Sequence, residues 1–442
     1  MEIKLSDRFT YGKLIRFTLP SIGMMIFSSI YGVVDGFFVS NFVGKTPFAA
    51  VNFIMPFLMI LGTLGFMFGT GGSAIVAKTM VEGDDEKANR YFSLLVYASI
   101  ILGVAVSALG IIFLRPVAAA LGAEGQMLDD CVIYGRIILF ANPAFILQME
   151  FQSFFITAEK PKLGLISTVA AGVTNMVLDA LLVAVIPLGL VGAATATAIS
   201  QLVGGAIPLV YFGMKNSSRL RLTKTSYNGF VLLRTCTNGS SELMSNVSMS
   251  LVGMLYNVQL LKYAGEDGVA AYGVLMYVSM IFIACYIGYS IGSAPVISYH
   301  FGAGNTDELH SLLTKSLRII SVTAIGMLAL AFILASPLSH IFVGYDKALM
   351  ELTERGFYIY SFSFLFSGFA IFFSGFFTAL NDGLTSAVIS FLRTVLFQVA
   401  AVLLLPLIFD IDGIWLSIVV AEIMSVAIGI VFILTKKKKY RY

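Results

Sequence analysis

Charge is scarce in this chain. Of its 442 residues only 12% are Asp, Glu, Lys or Arg, about half the share of a typical soluble domain. Cysteine is scarce too: Cys131, Cys236 and Cys285 stand far apart with no CxxC spacing, so neither a structural metal site nor a disulfide framework can be read from them. Three histidines, His300, His310 and His340, all fall at or near expected helix ends. HExxH, GxSxG and carboxylate–histidine clusters are missing, which removes the usual signatures of a metalloenzyme or a serine hydrolase. No catalytic residue and no cofactor is therefore expected. The net charge of +3 rests on loop cations that would face a membrane surface, so nucleic acid is not an expected partner. The first residues, MEIKLSDRFTYGKLIRF, lack an apolar core before the first long hydrophobic run, and no cleavable signal peptide is expected.

Apolar residues are what the chain has in abundance: 58% of the total, with a mean hydropathy of +0.90. The 41 glycines suit a helical membrane bundle, where small residues let helices approach closely. Bilayer-length runs predict twelve helical spans. The first six cover residues 14–40, 48–77, 91–113, 130–157, 163–186 and 191–212; the second six cover 230–261, 269–298, 313–335, 353–380, 385–408 and 413–434. The expected fold is an all-α integral membrane protein with both termini on one side. The basic residues divide unequally between the two sides, with only Lys45, Arg115, Arg136, Lys262, Lys347 and Arg355 on the side away from the termini. By the positive-inside rule both ends are cytoplasmic, and the plasma or inner membrane is the expected location. The terminal run KKKKYRY reads as an orientation anchor.

An internal repeat organises these spans. At an offset of 222 residues Ser28 answers Ser250, Ala49 answers Ala271, Asp85-Glu86 answers Asp307-Glu308, and Phe154-Phe155 answers Phe376-Phe377. Each half holds six spans, so the repeats run parallel and predict two pseudo-symmetric six-helix lobes around a central cavity. The expected divisions are an N-terminal lobe over 1–214, a basic inter-lobe loop over 215–229, a C-terminal lobe over 230–435, and a basic tail over 436–442. The repeat fails where the polar interior begins. Asp35 corresponds to Asn257, Asn175 to Phe397, Asp179 to Ala401, and Pro20 to Glu242.

Those failures mark the candidate site. A carboxylate inside a span costs about 3 kcal/mol to insert and is usually kept for function. Asp35, in the stretch Tyr31-Gly32-Val33-Val34-Asp35, has no cation on its own helix. Asn175 and Asp179 are one turn apart on the fifth span and share a face. Thr197 lies on the sixth span about 9 Å from its outer boundary. All four fall at the outer level of the N-terminal lobe. Two carboxylates, a carboxamide and a hydroxyl make an oxygen cage for Na+, or a pair that shares one proton. This set points to ion coupling in a secondary transporter.

On these residues the sequence resembles the MATE (multidrug and toxic compound extrusion) transporters over nearly the whole chain. Pro20 and Asp35 on the first span, Asn175 to Asp179 on the fifth and Thr197 on the sixth resemble the N-lobe cation pattern of the DinF-like and archaeal branch. The resemblance implies twelve helices in two lobes and H+- or Na+-driven antiport of bulky, often cationic or amphipathic compounds. It also implies a hinge in the first span at Pro20. Glu242 resembles the seventh-helix acid of the NorM-like branch, whereas that branch's tenth-helix acid has no counterpart between Phe357 and Leu380.

Further interior groups complete the expectations. Glu242 is read as a second coupling or substrate contact, or as a structural partner of Arg393. Glu150, flanked by Gln148 and Gln152, is read as lining an inward-facing cavity or as packing. Arg393 and Glu422 fall near mid-membrane and are expected to pair. His300 and His310 are expected to be solvated. Met254, Tyr256, Met276, Tyr277, Met280, Phe366, Phe369 and Phe373 are candidates for an adaptable cavity wall, or for core. Interior acids outnumber interior bases, which favours cationic small-molecule substrates. Membrane lipids are the other expected partners, and nothing demands more than a monomer. The alternative on the same fold is a flippase for a lipid-linked precursor, which calls for several cavity cations where Arg393 is one.

Overall fold

The computed structural model describes residues 3–43, 45–120, 123–344 and 346–442. Of the residues singled out above, the side chains of Val33, Lys45, Ala49, Pro56, Ser250, Met254, Asn257 and Tyr277 lie outside the described set. The described chain is helical throughout, with no strand among the described residues. In order the helices are α1 (Tyr11–Phe38), α2 (Lys45–Gly62), α3 (Leu64–Val81), α4 (Asp85–Ala120), α5 (Gly125–Thr157), α6 (Pro161–Asp179), α7 (Gly189–Gly213), α8 (Gly229–Asn238), α9 (Ser240–Gly302), α10 (Thr306–Val343), α11 (Lys347–Ser361), α12 (Phe364–Ala379), α13 (Gly383–Phe391), α14 (Gln398–Leu404) and α15 (Pro406–Tyr440).

Among the described residues ten helical stretches are long and apolar enough to cross a membrane, or eleven if α11 and α12, bent by 46°, form one broken span. The twelfth expected crossing is hidden inside α9. That helix runs for 63 residues, which would measure about 95 Å if straight. Its own side chains show that it is not. The rings of Tyr256 and Tyr272 stack 5.4 Å apart at 4°, whereas sixteen residues along a straight helix would separate them by about 24 Å. The chain therefore doubles back between them, and α9 contains two antiparallel arms. Glu242, Ser245, Asn246 and Ser248 lower the hydropathy of the first arm.

Other edges also differ from the apolar runs. The second span is broken at Thr63 between α2 and α3, and the seventh at Gly239 between α8 and α9. α1 passes through Pro20 without a break. Three helical runs widen into π turns at Val39–Val43, Ala180–Val185 and Leu392–Phe397. Such turns cluster at functional positions, and here one follows Asp179 directly and another contains Arg393.

Helix faces sort by what surrounds them. One apolar cluster is built from the first half alone, around Val39–Leu139, and another centres on Phe92, Phe151, Phe154 and Phe212 with Leu232, Cys236 and Leu243 packed against it. One belongs to the second half, around Tyr256, Tyr272 and Trp415. A fourth joins Leu5, Phe9, Phe17 and Ile156 to Tyr289, Phe376 and Tyr442, so both ends of the chain lie at the same end of the molecule. Ile101, Ile112, Phe140, Val322, Ile333 and Leu407 are large, apolar and exposed, as expected of side chains that meet lipid rather than water.

The halves touch most closely toward the termini, and glycine permits it. A Cβ on Gly239 would stand 2.0 Å from the Met67 carbonyl oxygen, and one on Gly71 would stand 2.3 Å from the Thr235 carbonyl oxygen. Across the same seam Asn238 Nδ2 donates to Gly71 O at 3.3 Å and Ser298 Oγ to Ala74 O at 3.1 Å. Residues 5–9 bridge the halves again: Leu5 N donates to Glu159 Oε1 at 2.7 Å, and Phe9 N to Glu308 Oε1 at 2.8 Å.

Candidate functional site

Asp35 lies 24 residues beyond the start of α1, about 36 Å along it, and so sits toward the end remote from the termini. α6 and α7 bring their polar residues to it. Thr197 Oγ1 donates to Asp35 Oδ1 at 3.4 Å, and Asn175 Nδ2 donates to Thr197 Oγ1 at 3.3 Å. Asp179, one turn beyond Asn175, faces Asp35 as well. All four residues expected to meet do meet.

Enclosure gives the cluster its chemistry. Asn175 and Asp179 are almost wholly buried. Asn175 Oδ1 and both Asp179 oxygens have no hydrogen-bond partner among the described residues. Three buried acceptors without a donor, beside a second carboxyl, form a site with a deficit of positive charge. Two carboxylates in a medium of low dielectric cannot both ionise without a counter-ion, so the cluster can take one shared proton or one cation. Its donors are all hard oxygens, which suit an alkali cation and not a thiophilic metal. Among the described residues no group of three or more His, Cys, Asp and Glu side chains is placed to hold a metal ion.

Two tyrosines join the site that the sequence pattern did not flag. The Tyr134 hydroxyl, on α5, is buried with no hydrogen-bond partner in reach among the described residues and faces Asp35, Asp179 and Thr197. Nothing in its surroundings in the chain marks it. Tyr31 faces Asp35 from one turn earlier on α1, and its i, i+4 spacing was a usable signal.

The second half holds a separate polar centre. Arg393 Nε donates to both Glu422 oxygens at 3.1 and 3.0 Å, and Nη2 donates to Oε1 at 2.8 Å. The pair borders a cavity of about 180 Å³, lined also by Glu242, Asn246, Tyr256 and Tyr272. Glu242 feels the charge of Arg393 but makes no ion pair with it within 4 Å among the described residues. None of the four N-lobe residues lines this cavity. Of the expected apolar wall, Tyr256 and Met276 line it, joined by Met249. Met280 is exposed and Phe373 lies in the core shared by the two halves, with Phe369 packed against it. Phe366 is half-buried away from the lining.

The remaining expectations separate cleanly. Glu150 is sealed inside the first half, with both oxygens partnerless among the described residues and with Ser99 facing it. It borders none of the described cavities. The expectation of a solvated His300 is overturned: the ring is buried, packs edge-on against Phe9, and has Nε2 3.2 Å from the Asp7 carbonyl oxygen. The sequence places His300 at a helix end but gives no sign that residues 5–9 fold back over it. His310 is exposed.

Comparison with known proteins agrees with this architecture. A family model described as MatE matches residues 20–181 and again 243–403, two segments in register with the 222-residue repeat. The chain is similar to the multidrug export protein MepA of Staphylococcus saprophyticus, 24% identical over 418 residues, covering 92% of this chain and 90% of the relative. A MepA from Staphylococcus aureus strain MRSA252 is 25% identical over 413 residues, with the same coverage. In three dimensions the chain superposes on a crystal structure of a MATE in complex with MaL6 with a TM-score of 0.93 at 20% identity, covering 98% of each chain. It also superposes on an outward-facing multidrug resistance MATE family transporter of the MOP superfamily, with a TM-score of 0.92 at 20% identity, over 98% of this chain and 97% of that one.

Proposed function

The chain belongs to the MatE family of membrane transporters, and from that membership we propose that it is an H+- or Na+-coupled antiporter that exports organic, cationic or amphipathic compounds by alternating access. One observation carries the coupling half of this reading. Asp35, Asn175, Asp179 and Thr197 converge from three helices, and three buried acceptor atoms among them have no donor among the described residues. An incoming cation supplies the missing positive charge. Its occupancy changes the local charge at one level of the first half, where α1, α6 and α7 meet. A ligand that favours one arrangement of the lobes and an ion that favours the other exchange through the same equilibrium, with no contact between them.

The substrate half rests on the cavity of the second lobe. Glu242 supplies a carboxylate without an ion pair among the described residues, and the stacked rings of Tyr256 and Tyr272 with Met249 and Met276 supply a polarisable wall. A flat organic cation is matched by both features. The MepA relatives are named as multidrug export proteins, in keeping with such a cargo. The basic loops and tail favour cytoplasmic termini in the plasma or inner membrane, and the protein acts as a monomer.

Efflux of ethidium from energised vesicles tests the reading, with pH and Na+ gradients imposed separately. Wild type responds to one of them; Asp35→Asn and Asp179→Asn abolish that response while the protein still inserts and binds ethidium. Ethidium efflux by both variants at the wild-type gradient dependence overturns the N-lobe assignment. Failure of wild type to move ethidium under either gradient overturns the drug-export reading and directs attention to lipid-linked precursors.

A further inference from the structure

The internal repeat places two equivalent seams between the lobes at the end that carries the termini, and the chain closes only one of them. At the first, His300 and Glu159 are both bonded by the N-terminal segment, through Asp7 O and Leu5 N. Lys315 Nζ adds a bond to Phe9 O at 2.5 Å. The residues 222 positions away are Lys78 and Asn381. Asn381 keeps the positive φ of its counterpart, 58° against 62° at Glu159, so the local backbone is the same. The covering segment is not. Residues 227–231, the counterparts of 5–9, make no bond to Lys78 or to the Asn381 side chain among the described residues: Val231 N bonds Asn228 Oδ1 at 3.2 Å, and Phe230 and Val231 stand in the wall instead of crossing it.

What is left is a cavity of about 240 Å³ between the lobes, lined by Lys78, Glu82, Lys87 and Tyr91 from one and Arg234 and Asn381 from the other. Three cations face one carboxylate. Glu82 stands 3.9 Å from Lys87, and both side chains are largely exposed, which makes that pair weak. Among the described residues neither the Lys78 ammonium nor the Arg234 guanidinium has a hydrogen-bond or ion-pair partner. Asn381 Nδ2 is buried without an acceptor among the described residues. The cavity is thus a set of unsatisfied donors with net positive charge.

We propose that this cavity binds the phosphate headgroup of an anionic phospholipid, which bridges the two lobes at their uncovered seam. A phosphodiester supplies acceptor oxygens to Lys78, Arg234 and Asn381 at once. The surroundings select a lipid over free phosphate. Beside Arg234, Tyr227, Phe230 and Leu233 are 83, 69 and 65% exposed, an apolar surface on which acyl chains can lie. Basic pockets between helices at the membrane surface are the usual form of headgroup recognition.

Binding needs no transport, so its test is independent of the antiport reading. The full-length protein in nanodiscs containing phosphatidylglycerol or only phosphatidylcholine is released from lipid and its retained lipid counted by native mass spectrometry. Wild type keeps one phosphatidylglycerol, whose affinity falls about 30-fold in Lys78→Gln/Arg234→Gln. Lys437→Gln/Lys438→Gln, in the tail, keeps it. Equal retention by the cavity variant, or loss of retention in the tail variant alone, overturns the site. Thermal stabilisation of the phosphatidylcholine sample by glycerol 3-phosphate to the level reached in phosphatidylglycerol overturns the choice of lipid. Should the double variant fail to accumulate, Arg234→Gln, at an exposed position, serves in its place.

Discussion

Gly239→Ala should push the protein out of the arrangement described here. The added Cβ would stand 2.0 Å from Met67 O, 2.8 Å from Met67 C and 3.0 Å from Met67 Cα. Real contacts essentially never fall below 3.0 Å, so α3 and the α8–α9 junction must separate by about 1 Å. All three obstructing atoms are backbone and cannot rotate away as a side chain would. Overpacking of this kind costs about 1–3 kcal/mol. That is a change of about 5- to 150-fold in the balance between this arrangement and one with the seam open. The assay is a distance distribution between spin labels at Glu86 and Asp307, exposed positions in the two halves, in a variant whose three native cysteines are replaced. Gly239→Ala should enrich the longer distance. Gly253→Ala, whose Cβ meets nothing within 4 Å, should leave the distribution alone. An unchanged distribution in folded Gly239→Ala would refute the idea that backbone contact between α3 and α8–α9 holds this end shut.

Three further outcomes are expected. Tyr134→Phe removes a hydroxyl aimed at the Asp35–Asp179 pair and should raise the ion concentration needed for half-maximal efflux by about 3- to 10-fold, with little change in thermal stability. Glu422→Gln or Arg393→Met breaks a pair whose side chains are 2 and 14% exposed and should cost about 3–5 kcal/mol; Arg393→Met/Glu422→Leu should recover most of that loss, and additive losses in detergent melting curves would contradict a buried pair. Asp382 anchors the C-terminal end of α15 to the α12–α13 loop. Burial works to raise its pKa, but bonds from Lys436, Tyr440 and Thr385 prevail and hold the carboxyl at about 2. Because the folded value is depressed, the anchor's contribution is complete above the ordinary carboxylate value of 3.8 and is lost as pH falls through about 2. Hydrogen exchange at Lys436–Tyr440 should thus be unaffected by mild acidification, and loss of protection near pH 6 would show that another group controls it.

The sequence carried the fold a long way because membrane insertion is a local property. Each apolar run must satisfy its own backbone, so spans can be read one at a time, and a fixed offset of 222 residues pairs them into lobes. The convergence of polar residues in the first lobe was legible for the same reason. Buried carboxylates are rare enough to stand out, and helix direction alone sets Asp35, Asp179 and Thr197 at one level. Edges were less legible. The break at Thr63 falls inside an apolar run, and the polar stretch from Thr235 to Glu242 hides the one at Gly239 while weakening the signal of the first arm of α9.

Lateral placement is what the chain by itself did not determine. Period and hydropathy give a residue's height in the bilayer and its helix face, but not which helix that face meets. Tyr134 reaches the Asp35 pair, Glu422 takes both Glu-facing nitrogens of Arg393, and residues 5–9 cover His300 because of how helices pack about one another. Those neighbours are tens or hundreds of residues apart, and no local pattern encodes them. The sequence thus determined a two-lobed helical membrane protein with an acidic cluster at the end of its first half remote from the termini. The tertiary structure decided which groups complete that site and which remain unpartnered, since only packing fixes who stands beside whom in a medium without water to satisfy them.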